Sequence, residues 1–235
     1  MKIISVDERT VPLTSDTSNA GISFSSMTAS AVVIEIETAA GRFKGLGFSS
    51  YGRYGHGGLL KERFIPRLLE AHPRDFEDEV TQGFSMARFW ETLLNNENEG
   101  GHGERAGSVG VLETAMWDAW AKSEDLPLWA LLEKNIGHVN DNGTPPGQTI
   151  VYASGGHYRE SMANTNQLAD EARISLDAGF AWFKLKVGGE TTASDIERIE
   201  TAITATGNSQ LVAIDANCAF AVSYTHLTLP TSDLV

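Results

Sequence analysis

The sequence predicts an α+β N-terminal capping domain followed by the first three βα units of a (β/α)8 barrel, an incomplete one, and three observations predict it. Residues 3–49 alternate apolar and polar side chains with the period of a strand. Residues 59–122 switch to helical spacing, and after a stretch rich in glycine, proline and asparagine the pattern becomes β-α-β-α-β.

The elements follow in order. Ile3–Arg9 reads as a strand, Ser30–Thr38 as a second with Val32, Ile34 and Ile36 on one face, and Phe43–Ser49 as a third after the Ala40-Gly41-Arg42 turn. Leu59–Leu69 and Phe76–Leu94 carry apolar residues at helical spacing. Gly107–Lys122 adds a broad stripe of Val111, Leu112, Ala115, Met116, Ala119 and Trp120. These elements make up a cap over residues 1–136, and residues 137–148 form a linker. Thr149–Ala153, Ala181–Val187 and Gln210–Asn217 then read as strands, with helices at Asn166–Gly179 and Thr192–Thr206 between them. Crossover helices of that length require parallel strands, so 149–221 is a partial barrel domain in which a closed barrel would need eight. Residues 222–235 are β-branched, contain Pro230 and carry no helical stripe where the next helix is due. They resemble a translated sequencing adapter and are expected to be a non-native tail.

Composition narrows the function classes. With 235 residues and 41% hydrophobic side chains, the chain can bury a real core. The 31 acidic against 18 basic residues give a formal charge of -13, which repels phosphate backbones and anionic membranes, so neither nucleic acid nor membrane is an expected partner. A lone cysteine, Cys218, has no intrachain partner, and Asp7, Glu8 and Arg9 stand where a secretory signal needs an apolar run. A cytoplasmic protein is expected. The apolar runs, such as Ala31–Ile34, are far shorter than the roughly 20 residues that cross a bilayer.

Two strand motifs carry chemistry. In Phe183-Lys184-Leu185-Lys186-Val187 the side chains alternate, so both lysines share one face and the apolar residues the other. In a barrel strand the lysines face the interior near the catalytic end. Two neighbouring ammonium groups, or a nearby metal cation, would lower the pKa of each, which suits a base that removes a proton from carbon. The alternative is an edge strand with two solvated lysines. In Leu211-Val212-Ala213-Ile214-Asp215-Ala216-Asn217, Asp215 and Asn217 are expected to point the same way at the next strand end, where a carboxylate suits Mg2+. An aspartate there can equally cap the following helix. His56 and His102 lie in glycine-rich loops of the cap, either as decorated turns or as contacts of a substrate-closing loop.

Lys-x-Lys on the second barrel strand and Asp-x-Asn on the third resemble the mandelate racemase-like branch of the enolase superfamily. Gly52-Arg53-Tyr54-Gly55 with Gly57-Gly58-Leu59, Gly100-Gly101-His102-Gly103-Glu104-Arg105, Trp117-Asp118-Ala119 with Ala121-Lys122, Pro127-Leu128, and Val151-Tyr152-Ala153 with Gly155-Gly156 resemble its D-tartrate dehydratase subgroup. The loop at Glu97-Asn98-Glu99 departs from that subgroup, which has Glu-Lys-Pro there. The resemblance covers residues 1–221. It implies a Mg2+-dependent dehydration of an acid sugar or hydroxy diacid through an enediolate, with D-tartrate going to oxaloacetate. It further implies Lys186 as the base, Lys184 as the group that polarises the substrate carboxylate, Asp215 as a metal ligand, and Asn217 behind the metal or on the substrate side. A homo-oligomeric parent follows by analogy. The remaining metal ligands and the acid would come from later strands, so this chain is expected to be an inactive part of that parent. A Schiff-base aldolase, using a barrel lysine to attack a carbonyl, is the competing chemistry.

Overall fold

The computed structural model describes residues 1–49, 54–97, 103–136, 149–159 and 165–221. In chain order these give β1 (Lys2–Pro12), β2 (Thr17–Ser18), β3 (Thr28–Thr38) and β4 (Gly41–Ser49), then α1 (Gly55–Leu59), α2 (Ile65–Glu70), α3 (Met86–Leu93), α4 (Gly103–Ser123) and α5 (Leu128–Ile136). The second half adds β5 (Ala153–Gly155), β6 (Tyr158–Arg159), α6 (Thr165–Asp177), β7 (Phe183–Lys186), α7 (Thr192–Thr206) and β8 (Val212–Asp215). Two compact units result, Met1–Leu13 with Ser26–Gln148, and Thr14–Ser25 with Thr149–Val235. The expected cap of 1–136 therefore needs one correction. Thr14–Ser25 groups with the second unit, because β2 pairs antiparallel with β6. The expected linker at 137–148 and the expected tail at 222–235 lie outside the described residues.

In the first unit, β1, β3 and β4 form an antiparallel sheet in that order. The alternation of β3 sets its buried face: Ser30, Val32, Ile34 and Ile36 are all fully buried. Val32, Ile34 and Ile36 share one core with Val111, Leu112, Ala115, Met116 and Ala119 of α4. The helix comes so close that a Cβ on Gly45 or Gly47 would fall on α4 backbone at Ala115 or Val111, which is why small residues stand at both. The outer edge of β4 is also covered. Asp118 Oδ2 accepts Leu46 N–H at 2.9 Å and Lys122 donates to Lys44 O at 3.0 Å, so two residues of the Trp117–Lys122 motif satisfy an edge strand's open backbone groups.

The chain from Gly55 to Glu70 is helical throughout, with one π turn at Leu60–Phe64, and buries Leu60, Phe64, Ile65 and Leu68. The helix expected from Phe76 begins only at Met86. Asp78 Oδ1 accepts the N–H groups of Val80 and Thr81, Gln82 takes a φ of 54°, and Ser85 caps the new helix, so turn chemistry overrides the apolar spacing of 76–85.

The second unit holds the three parallel strands in the order β5-β7-β8. Helices α6 and α7 follow β5 and β7, as expected of crossover connections. Phe183, Leu185 and Val187 are buried with Leu168 and Ala172 of α6 and Ala202 of α7. The first of these strands starts later than expected, at Ala153, and Ile150, Val151 and Tyr152 before it are exposed.

Candidate active site

Register and alternation together assemble the site. With the apolar side chains of β7 committed to the helices, Lys184 and Lys186 fall on the opposite face. Their side chains are only 21% and 10% exposed, so they are not the solvated pair of an edge strand. The parallel register sets Lys186 beside Asp215 on β8. Lys186 Nζ donates to Asp215 Oδ2 at 2.7 Å, and Lys184 Nζ lies 3.3 Å from the same oxygen. Both lysines thus converge on one carboxylate oxygen at the ends of adjacent strands.

The other oxygen is held from behind. Asn217 N–H donates to Asp215 Oδ1 at 2.8 Å. The strand ends at Asp215 and Asn217 takes a φ of 50°, so the alternation expected to aim Asp215 and Asn217 alike stops short of Asn217, which is exposed. The bond from Lys186, then that from Asn217 N–H and the contribution of Lys184, hold the Asp215 carboxyl down at about 2 despite partial burial.

The expected mutual lowering of the lysine pKa values is corrected for Lys184, which is raised. Tyr152 is the first cause, its hydroxyl 3.0 Å from Nζ, and the Asp215 carboxylate adds to it. Lys184 Nζ also stands over the Tyr152 ring at 4.6 Å from its centroid. The Tyr152 hydroxyl, and after it the Asp215 carboxylate that the register of β7 on β8 brings alongside, outweigh the push of burial on Lys184.

His157 is a second addition. Burial first, and then the Lys186 charge, push its imidazole below the usual histidine value, which places a neutral ring in the field of the site. Phe24 packs against it edge-on at 6.5 Å. Its signal in the sequence was its place just after the first parallel strand, in Gly155-Gly156-His157.

The two cap histidines fare differently. His56 is buried in the first unit with Nε2 2.9 Å from Glu104 Oε2, and Gly107 lies so near its ring that a Cβ there would strike Nε2. His102 lies outside the described residues. Among the described residues, no group of three or more His, Cys, Asp or Glu side chains is placed to hold a metal, and no helix is long and apolar enough to cross a membrane.

Known proteins resemble this chain in sequence and in fold. The family model described as "Enolase C-terminal domain-like" matches residues 167–229, spanning the helices and strands that carry Lys184, Lys186 and Asp215. Arabinonate dehydratase of Saccharolobus solfataricus is 27% identical over 187 residues, and L-talarate/galactarate dehydratase of Salmonella typhimurium 28% over 188. The chain is similar to proteins of the enolase superfamily. Each alignment takes in 79% of this chain but 45% and 42% of those relatives, so the chain spans less than half their length. The L-talarate dehydratase of Polaromonas sp. JS666, a superfamily structure complexed with Mg and L-glucarate, superposes with a TM-score of 0.62 at 26% identity. That likeness covers 94% of this chain and 53% of the other. Other relatives are named as a cycloisomerase and an epimerase, so the likeness takes in dehydratases and isomerases alike.

Proposed function

We propose that the protein carrying this chain is a Mg2+-dependent acid-sugar dehydratase in which Lys186 is the base. One observation carries the reading: two lysine amines converge on a single ionised carboxylate at the ends of neighbouring parallel strands. Superfamily relatives named as dehydratases of arabinonate and of talarate or galactarate support the substrate class.

Asp215 suits a hard divalent cation by donor chemistry. It is an oxygen ligand, it stays ionised far below neutral pH, and its Oδ1 is already oriented by Asn217 N–H. It supplies one carboxylate, and further oxygen ligands have to come from outside the described residues. When bound, Mg2+ would neutralise the substrate carboxylate and the charge that grows on it as the neighbouring proton leaves.

The chain's own residues do the rest. Lys186 takes the proton on the carbon beside the carboxylate and must be neutral to do so, so the ammonium that now donates to Asp215 Oδ2 has first to give up a proton. Lys184, held charged by Tyr152 and Asp215, donates to the substrate carboxylate. Asn217 acts by fixing Asp215. The electron pair left by the proton expels the hydroxyl on the next carbon, which leaves as water with a proton from an acid outside the described residues, and the enol relaxes to a 2-keto acid. His56, buried against Glu104, fits an anchor of its loop, and a substrate contact is reserved for His102.

For the substrate itself we infer D-tartrate, converted to oxaloacetate and water, from the cap and strand segments that resemble that subgroup. The relatives act on longer acid sugars by name, so the choice needs a panel of substrates. The test is a keto-acid assay with Mg2+ on the product that spans its relatives' full length, using D-tartrate beside aldonates and aldarates. Keto acid from one of them upholds the class and names the substrate, whereas none from any sinks the reading. The 235-residue chain alone, assayed alongside, is expected to be inactive because one carboxylate holds Mg2+ poorly. A Schiff-base reading needs an amine that loses its proton readily, and Lys184 is shifted the other way. Borohydride trapping of a carbonyl substrate on either lysine would revive it.

A further inference from the structure

Helix α7 turns two charged side chains, Asp195 and Arg198, toward the strand ends rather than toward solvent, with side-chain exposures of 12% and 15%. Asp195 Oδ2 accepts Gly188 N–H at 2.7 Å, and its Oδ1 accepts the Tyr158 hydroxyl at 2.7 Å. The same phenol oxygen accepts Gly189 N–H at 2.9 Å. Arg198 lies over the Tyr158 ring, 4.5 Å from its centroid. Its Nη2 donates to the carbonyl oxygens of Gly156 at 2.5 Å and of Lys186 at 3.3 Å.

These four backbone groups are what β5 and β7 present just past or at their last paired residues, where a buried donor or acceptor must find a partner. Gly156 is held on both sides, since its N–H donates to Glu171 Oε2 of α6 at 3.1 Å. Burial and the bond to Asp195 push the Tyr158 phenol up to about 12, so it stays a donor at any physiological pH. One guanidinium nitrogen, held by a planar group stacked on the Tyr158 ring, bonds both carbonyls and so keeps them in fixed relation. One of those carbonyls belongs to Lys186, whose amine has to reach its proton within a fraction of an ångström.

We propose that Arg198 is the positioning residue for Lys186: by clamping the Lys186 and Gly156 carbonyls against the Tyr158–Asp195 pair, it sets where the Lys186 amine sits. This rests on the reading of Lys186 as base, so its test has one readout with turnover and one without.

Arg198→Met keeps the bulk and removes the donors, and Arg198→Lys restores a charge with one of the two contacts. In the full-length protein with Mg2+, Arg198→Met is expected to lower kcat about 100-fold with KM changed less than about threefold, and Arg198→Lys to regain about a third of that loss on a logarithmic scale. Independently of turnover, reductive methylation read by mass spectrometry reports the accessibility of Lys186 relative to exposed Lys61. Arg198→Met should raise it about threefold or more, with the fold intact by thermal melting.

Unchanged Lys186 labelling overturns the proposal whatever the activity does. Raised labelling with unchanged kcat overturns it as well, because the amine would then have moved without consequence. A fall in kcat matched by an equal rise in KM and no recovery in Arg198→Lys assigns Arg198 a merely structural role and also overturns it. If the wild-type protein turns over no acid sugar while labelling still rises, the dehydratase reading fails and the clamp on Lys186 stands.

Discussion

Each unit of the chain surrounds one carboxylate with several cations, and the two clusters differ in which cations they use and how far they are closed. In the first unit Glu97 is 4% exposed, with Arg105 Nη1 2.6 Å from Oε2 and Arg67 and Arg63 at 2.9 and 3.2 Å from Oε1. In the second, Asp215 is 27% exposed and meets Lys184 and Lys186. Arginine does not give up its proton, and its forked donors lock a carboxylate from several sides. Glu97 therefore ties the helices that carry Arg67 and Arg105 together. Lysine can lose its proton when its surroundings change, so the Asp215 cluster can exchange partners as the Glu97 cluster cannot. The same charge motif makes a brace in one unit and a candidate reactive centre in the other.

The comparison is broken most directly by removing one cation or the central anion. Lys186→Met is expected to reduce kcat by about 1,000-fold, within the range for loss of a general base, while moving the melting temperature by no more than a few degrees. Activity and calorimetry on the same preparation check it, and a variant that keeps a tenth of its turnover would sink the assignment. Glu97→Ala should do the reverse in kind. It leaves Arg67 and Arg105 facing one another without their anion, so destabilisation on the order of 3 kcal/mol is expected, read as a lower urea midpoint. A change under about 1 kcal/mol would mean that solvent reaches the arginines and the brace is idle.

What a sequence shows of such clusters depends on whether a strand's own period or its neighbours decide the feature. The alternation of β3 and the Lys-x-Lys of β7 were readable because a strand's period assigns faces without knowledge of its neighbours. Asp215 was readable from its place at a strand end. What depends on pairing is hidden: Lys186 beside Asp215 depends on the register of β7 on β8, and the raised Lys184 depends first on Tyr152 and then on Asp215. Tyr152 was within a quoted motif, yet it stands before β5 begins, where alternation has no hold. Glu97 and its arginines could be seen only in part. Arg63 and Arg67 are one helical turn apart, but Arg105 arrives from another helix altogether. Where the chain takes a positive φ, as at Gln82 and Asn217, period-based reading failed in both units.

The finest contrast between the clusters is their response to acid. Both carboxyls are depressed in the folded protein: Glu97 because bonds from Arg105 and Arg67 and the Arg63 charge outweigh the upward push of burial, Asp215 because of Lys186, Asn217 N–H and Lys184. A depressed acid adds stability above its unfolded pKa, about 4.3 for Glu and 3.9 for Asp, and that stability is lost as pH falls through the folded value. For Asp215 the window is therefore about pH 4 down to about 2. Urea midpoints at pH 6, 4 and 3 should fall most steeply in the wild type, slightly less steeply in Asp215→Asn, where the carboxylate is more open to water, and least steeply in Glu97→Gln. Above pH 6 none of the three should change with pH through these groups, since both carboxyls are then fully ionised in either state. An Asp215→Asn slope flatter than that of Glu97→Gln would invert the comparison, making the lysine cluster the stronger brace and weakening its candidacy as the centre where partners exchange.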